Sequence, residues 1–377
     1  VSLYTPPEDQ IRLRIGGREL AGWKTATITQ SIEDVARSFT VSAASRYPEE
    51  IQLLRVKPGS AVEVYLGSEL LITGWIDKQD AAFDRSSHGL TLSGRSKTGD
   101  LVDCSVIHAS GQWRNTSAVE IARQLAADYG VELVDELGST PNVRRFAVQD
   151  GETVVGAIQR LAQLRGFLVT DDERGRLVLT RASSTRADVE LRTGVNILRG
   201  SASVDFSARY TEYRCKSSRV GDDQDFGAVL QASQTATDAG DMGRARILEI
   251  RAEKGEDAAR TKERATWEAA TRYGQSIAVS YDVQGWRQTA GGRTWRRNEI
   301  VRVVDELTGL NGDLLVTDVE LTVARSSGTV AKLTLAPPEG FELLPPFKPR
   351  RSGRKRVRNP LAEALKDGVT ITPGGQP

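Results

Sequence analysis

The chain has 377 residues, 39% hydrophobic and 27% charged, the balance of a globular protein with room for two to four domains. No apolar run approaches the roughly 18–20 residues that cross a bilayer. The opening VSLYTPPEDQ has neither the basic nor the apolar region of a secretory signal, so the expectation is a chain that folds in a cytosol.

The two cysteines, Cys104 and Cys215, are expected to be a reduced, buried pair rather than a disulfide. The net charge of +1 hides an asymmetry. Residues 346–377 carry eight Lys or Arg against Glu363 and Asp367, and residues 1–345 are mildly acidic at −5. A basic end can bind nucleic acid or an acidic protein face. Without interleaved aromatics for base stacking, this one reads as a Pro-rich, flexible, solvated tail.

Residues 11–100 read as strands. Apolar and polar residues alternate in IRLRI (11–15), WKTATITQSI (23–32), FTVSAA (39–44), AVEVYLG (61–67), LLITGWIDK (70–78) and GLTLSGRS (89–96). Short strands with turn signals such as Pro58-Gly59 predict an antiparallel barrel or sandwich.

The period then changes. SAVEIARQLAADYGV (117–131) places Ala118, Ile121, Ala122, Leu125 and Tyr129 on one helical face, with Ser117 and Glu120 as a capping box and Gly130 as the stop. ETVVGAIQRLAQLRG (152–166) predicts a second helix closed by Gly166. FLVT (167–170) and LVLT (177–180) then form a hairpin. Its turn holds Asp171, Asp172 and Glu173, read as solvated turn residues rather than an acid/base pair.

Residues 186–250 read as mixed strand and loop, with YTEYRCKSSRV (210–220) the clearest strand. EDAARTKERATWEAATRYG (256–274) predicts a helix. The strand pattern returns in SIAVSYDV (276–283), EIVRVVDE (299–306), DLLVTDVELTVA (313–324) and TVAKLTLA (329–336).

The two β regions resemble each other. LLITGWID (70–77) matches LLVTDVEL (314–321), LTL (90–92) matches LTL (333–335), and AVEVYL (61–66) parallels IVRVVD (300–305). The reading is two related barrels at opposite ends of the chain. Three copies of such a chain can form a ring with six similar positions.

Chemical motifs are weak. GRSKTGDLVDCSVIH (94–108) carries Lys97-Thr98, but a phosphate loop needs a glycine where Ser96 stands and another at Thr91. Cys104 and His108 have helical ligand spacing, yet a structural zinc needs four ligands. His88 and Cys215 make no second pair. As nucleophile and base, Cys104 and His108 lack an orienting group, since Asp103 points to the wrong face of an extended segment.

GDDQDFG (221–227) opens like a calcium loop, with Asp223, Asp225 and Gly227, but lacks the closing glutamate. Trp23, Trp75, Trp113, Trp286 and Trp295 are read as core or interface anchors. The expectation is no catalytic residue, no cofactor and no metal site.

The run 94–131, with GWKTATITQSIEDVARSFTVSAA (22–44), LLITGWIDKQD (70–80), LVLTRASS (177–184) and LTLAPPEGF (333–341), resembles baseplate hub proteins of contractile tails of the phage Mu type. The likeness covers about residues 11–345. The unit 149–179 also resembles late-control tail proteins and type VI secretion spikes.

The resemblance implies a virion structural protein without an active centre, assembled in the host cytoplasm and resident in the tail baseplate. It implies a homotrimer whose two similar β-barrel domains per subunit make a pseudo-sixfold ring against the tail tube. The rest of the trimer would enclose a channel for DNA and carry the central spike beside other baseplate proteins.

The expected class is β-rich α+β: a first barrel at 1–100, an α+β domain at 101–185, a mixed domain at 186–275, a second barrel at 276–345 and the tail at 346–377. Two alternatives stand against this reading. One is a peptidoglycan hydrolase, which needs a buried carboxyl in a cleft. The other is a nucleic-acid-binding protein using residues 348–358.

Overall fold

The computed structural model describes residues 9–45, 56–83, 88–138, 140, 142–218, 231–238, 243–251, 258–324 and 328–341. The basic tail and GDDQDFG (221–227) lie outside the described residues.

The first β region holds β1 (Ile11–Ile15), β2 (Arg18–Leu20), β3 (Thr25–Ser31), β4 (Ser38–Ser45), β5 (Ala61–Leu66), β6 (Glu69–Phe83) and β7 (His88–Ser96). Alternation explains these strands: Ile11 and Leu13 in β1, Val62, Val64 and Leu66 in β5, and Leu90 and Leu92 in β7 are all buried, while their neighbours face outward.

The middle of the chain continues with α1 (Gly99–Asp103), β8 (Gln112–Ser117), α2 (Ala118–Ala127), β9 (Leu133–Asp135), β10 (Asn142–Ala147), α3 (Val154–Arg165), β11 (Leu168–Asp171) and β12 (Leu177–Thr180). After it come β13 (Leu191–Arg192), β14 (Ile197–Val204), β15 (Glu212–Ser218), β16 (Gln231–Thr237), β17 (Ile247–Arg251) and α4 (Ala258–Gln275). The last strands are β18 (Ile277–Gln284), β19 (Ile300–Asp305), β20 (Leu310–Ala324) and β21 (Gly328–Ala336).

The molecule is β-rich α+β. Its two β regions, however, belong to one thirteen-stranded sheet, an open path from β14 to β2 with a branch at β20. β20 pairs with β21 along one edge. Its other edge is shared: residues 310–315 pair with β19, and residues 318–324 pair antiparallel with β3 of the first region. Among the described residues, no pairing closes either region into a barrel of its own, which differs from the expected two barrels.

The interior is likewise continuous. One apolar cluster runs from Leu13, Val41 and Ile72 to Tyr281, Trp295 and Leu333. β13 and β14, inside the 186–275 segment, join this sheet through β19 and β18.

The internal repeat is real at the level of strands. β5, β6 and β7 have 6, 15 and 9 residues, as do β19, β20 and β21. Each middle strand has a register shift against the third, between Ile76 and Lys78 in one copy and Val316 and Asp318 in the other. The order β3-β4-β7-β6-β5 is repeated as β14-β18-β21-β20-β19, with every adjacent pair antiparallel.

Matching the pairings aligns Ile76 with Val316 and Leu92 with Leu333. The sequence match LLIT/LLVT is therefore displaced by about four residues from this alignment, and LTL/LTL by about two. Even displacements keep side-chain alternation in phase, so an apolar pattern cannot detect them.

The α+β region has its own core, in which α2 and α3 bury Ile121, Leu125, Ile158 and Leu161 against Trp113 and Phe146. Ser117 caps α2 by accepting from the Glu120 N–H at 3.1 Å, a contact that contributes about 1 kcal/mol. The reciprocal half of the capping box is absent, because the Glu120 carboxylate accepts from Arg123 and Gln124 instead. α2 stops at Ala127, before the predicted end. α3 closes on Gly166, whose φ of 69° favours glycine. β15, β16 and β17 form a separate sheet against α4, beside a buried Arg209–Asp238 pair at 2.7 Å.

Candidate functional site at the meeting of three regions

The connection from β3 to β4 leaves the first β region and enters the α+β core, where Val35 is buried. Two residues later, Arg37 reaches Asp171 at the end of β11. Its backbone N–H donates to Oδ2 at 3.1 Å and its Nε to Oδ1 at 3.2 Å. From the segment before β19, the Arg297 Nη2 donates to Oδ1 at 2.5 Å and also to the Asp171 carbonyl. Asp171 therefore joins the first β region, the α+β region and the second β region at a single carboxylate. It is 2% exposed, which corrects the reading of a solvated turn residue. Asp172 does sit in the turn, tied to Arg176 at 2.6 Å.

Burial pushes the Arg297 guanidinium down to about 10, against the opposing pull of Asp171. It still carries its charge at neutral pH. Oδ1 accepts from Arg37 and Arg297, and Oδ2 from the Arg37 N–H and, at 3.4 Å, from the Thr98 hydroxyl, so the carboxylate's lone pairs are directed at donors of the chain itself. The arrangement can hold three regions together. Breaking it would strand buried charge.

A second tie lies at the start of β6. Glu69 accepts from Thr294 at 2.9 Å, Arg296 at 3.0 Å and Arg287 at 3.4 Å. Gln30 of β3 donates to the Trp295 carbonyl at 3.1 Å. Glu299, 5% exposed, is the kind of buried acid a hydrolase would need, and burial raises its carboxyl. Its oxygens, however, accept from Arg293 at 2.6 Å and Gln288 at 2.7 Å. A depression of 260 Å³ lined by Arg199, Ser201, Asp282 and Lys332 includes neither Glu299 nor Asp171.

The crowded stretch 94–108 resolves into structural contacts. Arg95 bridges Asp77 at 2.8 Å and Asp103 at 2.5 Å. Thr98 is buried, 2.7 Å from the Ser96 hydroxyl and 3.1 Å from the Val35 carbonyl. Cys104 ends α1 and its carbonyl accepts from the Val154 N–H. It is half-buried, unlike the buried thiol of Cys215, and neither forms a disulfide.

His108 turns to Asp128 at 3.4 Å and stacks on Trp113 at 4.9 Å. His88 stacks on Phe83. No cluster of three His, Cys, Asp or Glu suited to a metal occurs among the described residues. Trp113, Trp286 and Trp295 are buried, whereas Trp23 and Trp75 are half-buried. Sequence reasoning missed Arg37 and Arg297 because arginines in loops give no periodic signal. Asp171 was visible only as the residue following an apolar strand.

Three family models match in chain order. They are the N-terminal domain of Mu phage baseplate assembly protein GpP-like proteins over residues 10–96, the second domain of gp44-like baseplate hub proteins over 98–181, and the fourth domain of GpP over 257–344. Baseplate hub protein gp44 of Escherichia phage Mu is 34% identical over 92% of each chain.

The chain belongs to the Mu-type baseplate hub family.

Among solved structures, the 43 kDa tail protein of prophage MuSo2 from Shewanella oneidensis is 30% identical, with a TM-score of 0.77 over 89% of this chain and 99% of that one. A tail protein from Neisseria meningitidis shares the fold at 22% identity and a TM-score of 0.72, over 87% and 96% of the two chains. An E. coli type VI secretion component also shares it, at 12% identity and a TM-score of 0.56, over 88% and 79%. This baseplate hub chain is thus a Mu-like phage tail protein and a virion structural protein. Its buried ion cluster fits a family whose named members are structural.

Proposed function

We propose that three copies of this hub form a ring at the base of a contractile tail. The two β units of each chain alternate around it, so that a threefold assembly offers a nearly sixfold face to the tail tube. Below the ring, the same trimer carries the central spike and meets other baseplate proteins. DNA passes through the central channel during ejection, and the mildly acidic body limits phosphate adhesion there. No chemical step is assigned to any residue. The work is mechanical: the chain must not come apart while the sheath drives the tube through an envelope.

One observation carries this reading. A five-strand unit occurs twice in one chain, and the two copies are already joined edge to edge through β3 and β20. A repeated unit on a rotating axis yields twice as many similar positions as there are chains. The Asp171 cluster supports the mechanical role, because it fixes the middle region to both units.

Light scattering on the purified chain is expected to give the mass of three subunits, and averaged images a ring with six lobes. A stable monomer at high micromolar concentration overturns the reading.

A further inference from the structure

The junction at Asp171 gathers more donors than it can satisfy. Its carboxylate takes Arg37 Nε, Arg297 Nη2, the Arg37 N–H and the Thr98 hydroxyl. Its carbonyl takes Arg37 Nη2 and Arg297 Nη2. Arg37 Nη1 donates to the Leu71 carbonyl at 3.0 Å. Arg297 Nη1 is shut off from solvent and has no acceptor among the described residues. It carries two N–H donors, and a buried donor on a charged group is among the costliest to leave unmade.

The charges are unbalanced in the same direction. Two guanidiniums meet one carboxylate, which leaves one positive charge over. The Asp171 side chain is fully buried, that of Arg297 is 5% exposed and that of Arg37 is 15% exposed. Asp34 also acts on Arg297 from a distance. It is an exposed residue, so water and salt screen its charge, and it does not bond Nη1. Burial works against the charge that is left over.

We propose that a single chloride ion sits against Arg297 Nη1 and completes the junction. A water molecule would accept from Nη1 but leave the buried charge unpaired, whereas an anion answers both needs. Enclosure selects the kind of anion. An ion about the size of a water molecule can reach this nitrogen, while sulfate, phosphate or an organic acid would have to push the three regions apart. The inference stands on the fold alone and does not depend on how many copies assemble. Its consequence is that the tie between the first β region, the α+β region and the second β region strengthens with chloride.

The test begins with the full, unaltered chain. Crystals grown in sodium bromide are expected to show an anomalous scattering peak beside Arg297 Nη1, because bromide takes the place of chloride. A water without anomalous signal at that place overturns the proposal, and so does an Asp34 carboxylate turned inward onto Nη1.

In solution, urea midpoints are read while chloride replaces gluconate at constant ionic strength. The midpoint is expected to rise and then level off, with a dependence corresponding to one ion released per chain unfolded. Asp34→Asn removes a competing negative charge and is expected to lower the half-saturating chloride concentration. Arg297→Gln keeps a donor for Asp171 but removes the charge that is left over, and is expected to abolish the chloride response.

A response that persists in Arg297→Gln places the ion elsewhere and overturns the assignment. A midpoint in the unaltered chain that is indifferent to chloride overturns it as well. If Arg297→Gln does not fold, the bromide peak in the unaltered chain decides alone.

Discussion

The two β units share strand order, strand lengths and the position of a register shift, yet they are filled differently. In the first, Gly74 and Gly94 let β6 and β7 approach so closely that a Cβ on Gly94 would lie 2.0 Å from the Trp75 carbonyl oxygen and 2.9 Å from the Phe39 ring. The second unit has Leu314 and Leu335 at these places, both buried.

In the first, Val41 and Leu66 are buried apolar residues. Their counterparts are Tyr281 and Asp305, which hydrogen-bond at 2.7 Å in an otherwise apolar interior. Strand pairing and bulge position therefore set the frame, and several combinations of volume and polarity satisfy it. The units differ most at their outer strands: among the described residues, β3 is covered by β20, while β14 has a strand partner on one side only, β18.

The largest expected effect comes from cutting what holds both units to the middle region. Asp171→Ala strands Arg37 and Arg297 without their counter-charge and should cost about 3–5 kcal/mol, read from the midpoint of urea unfolding. Asp171→Asn should recover only part of this, because an amide cannot neutralise two guanidiniums.

Next, Leu92→Ala and Leu333→Ala delete equivalent buried side chains, one in each unit, at about 2–5 kcal/mol apiece. Because one apolar cluster serves both units, each variant should unfold in a single transition by fluorescence and circular dichroism together. Two separated transitions would show that the units are independent cores.

Gly94→Ala should cost about 3 kcal/mol in the first unit, since the collision is with backbone as well as the Phe39 ring. The conservative change Leu335→Ile at the equivalent place should cost less than about 1.5 kcal/mol. Parallel urea titrations compare them.

The last comparison separates the units by pH. Burial raises the Asp305 carboxyl, but hydrogen bonds from Thr308, Thr193, Tyr281 and the Leu307 N–H outweigh it and hold the carboxyl far below its ordinary 3.8. Its stabilisation is complete well above 3.8 and is lost as the pH falls below that value toward the folded one. Asp305→Asn should remove about 2 kcal/mol at neutral pH. It should also flatten the decline in stability between about pH 4 and 2. The matching place in the first unit holds Leu66, which does not titrate.

Much of the fold was legible in the sequence, because strand and helix periods are local. IRLRI, AVEVYL and GLTLSGRS announced their strands by alternation, and Ser117 and Gly166 marked helix ends by backbone chemistry that needs no tertiary partner. β14 was not legible: ILRGSASV has little apolar alternation, and all but its first residue are exposed. Its strand form depends on β18, some eighty residues later. The candidate site was less legible still. Asp171 follows an apolar strand and precedes Asp172 and Glu173, so its composition reads as a turn. Only the arrival of Arg37 and Arg297 from distant loops makes it a buried junction.

What the sequence determined by itself was the helices α2, α3 and α4, the alternating strands of the two β regions, their order, and the fact of an internal repeat, since all of these follow from side-chain periodicity along the chain. The tertiary structure alone decided the register of that repeat and the merging of two β regions into one sheet. It also decided which carboxylate lies buried between two guanidiniums. The reason is physical: a strand's pattern repeats every two residues, so it records which face is apolar but not which partner, or which even offset, will cover it.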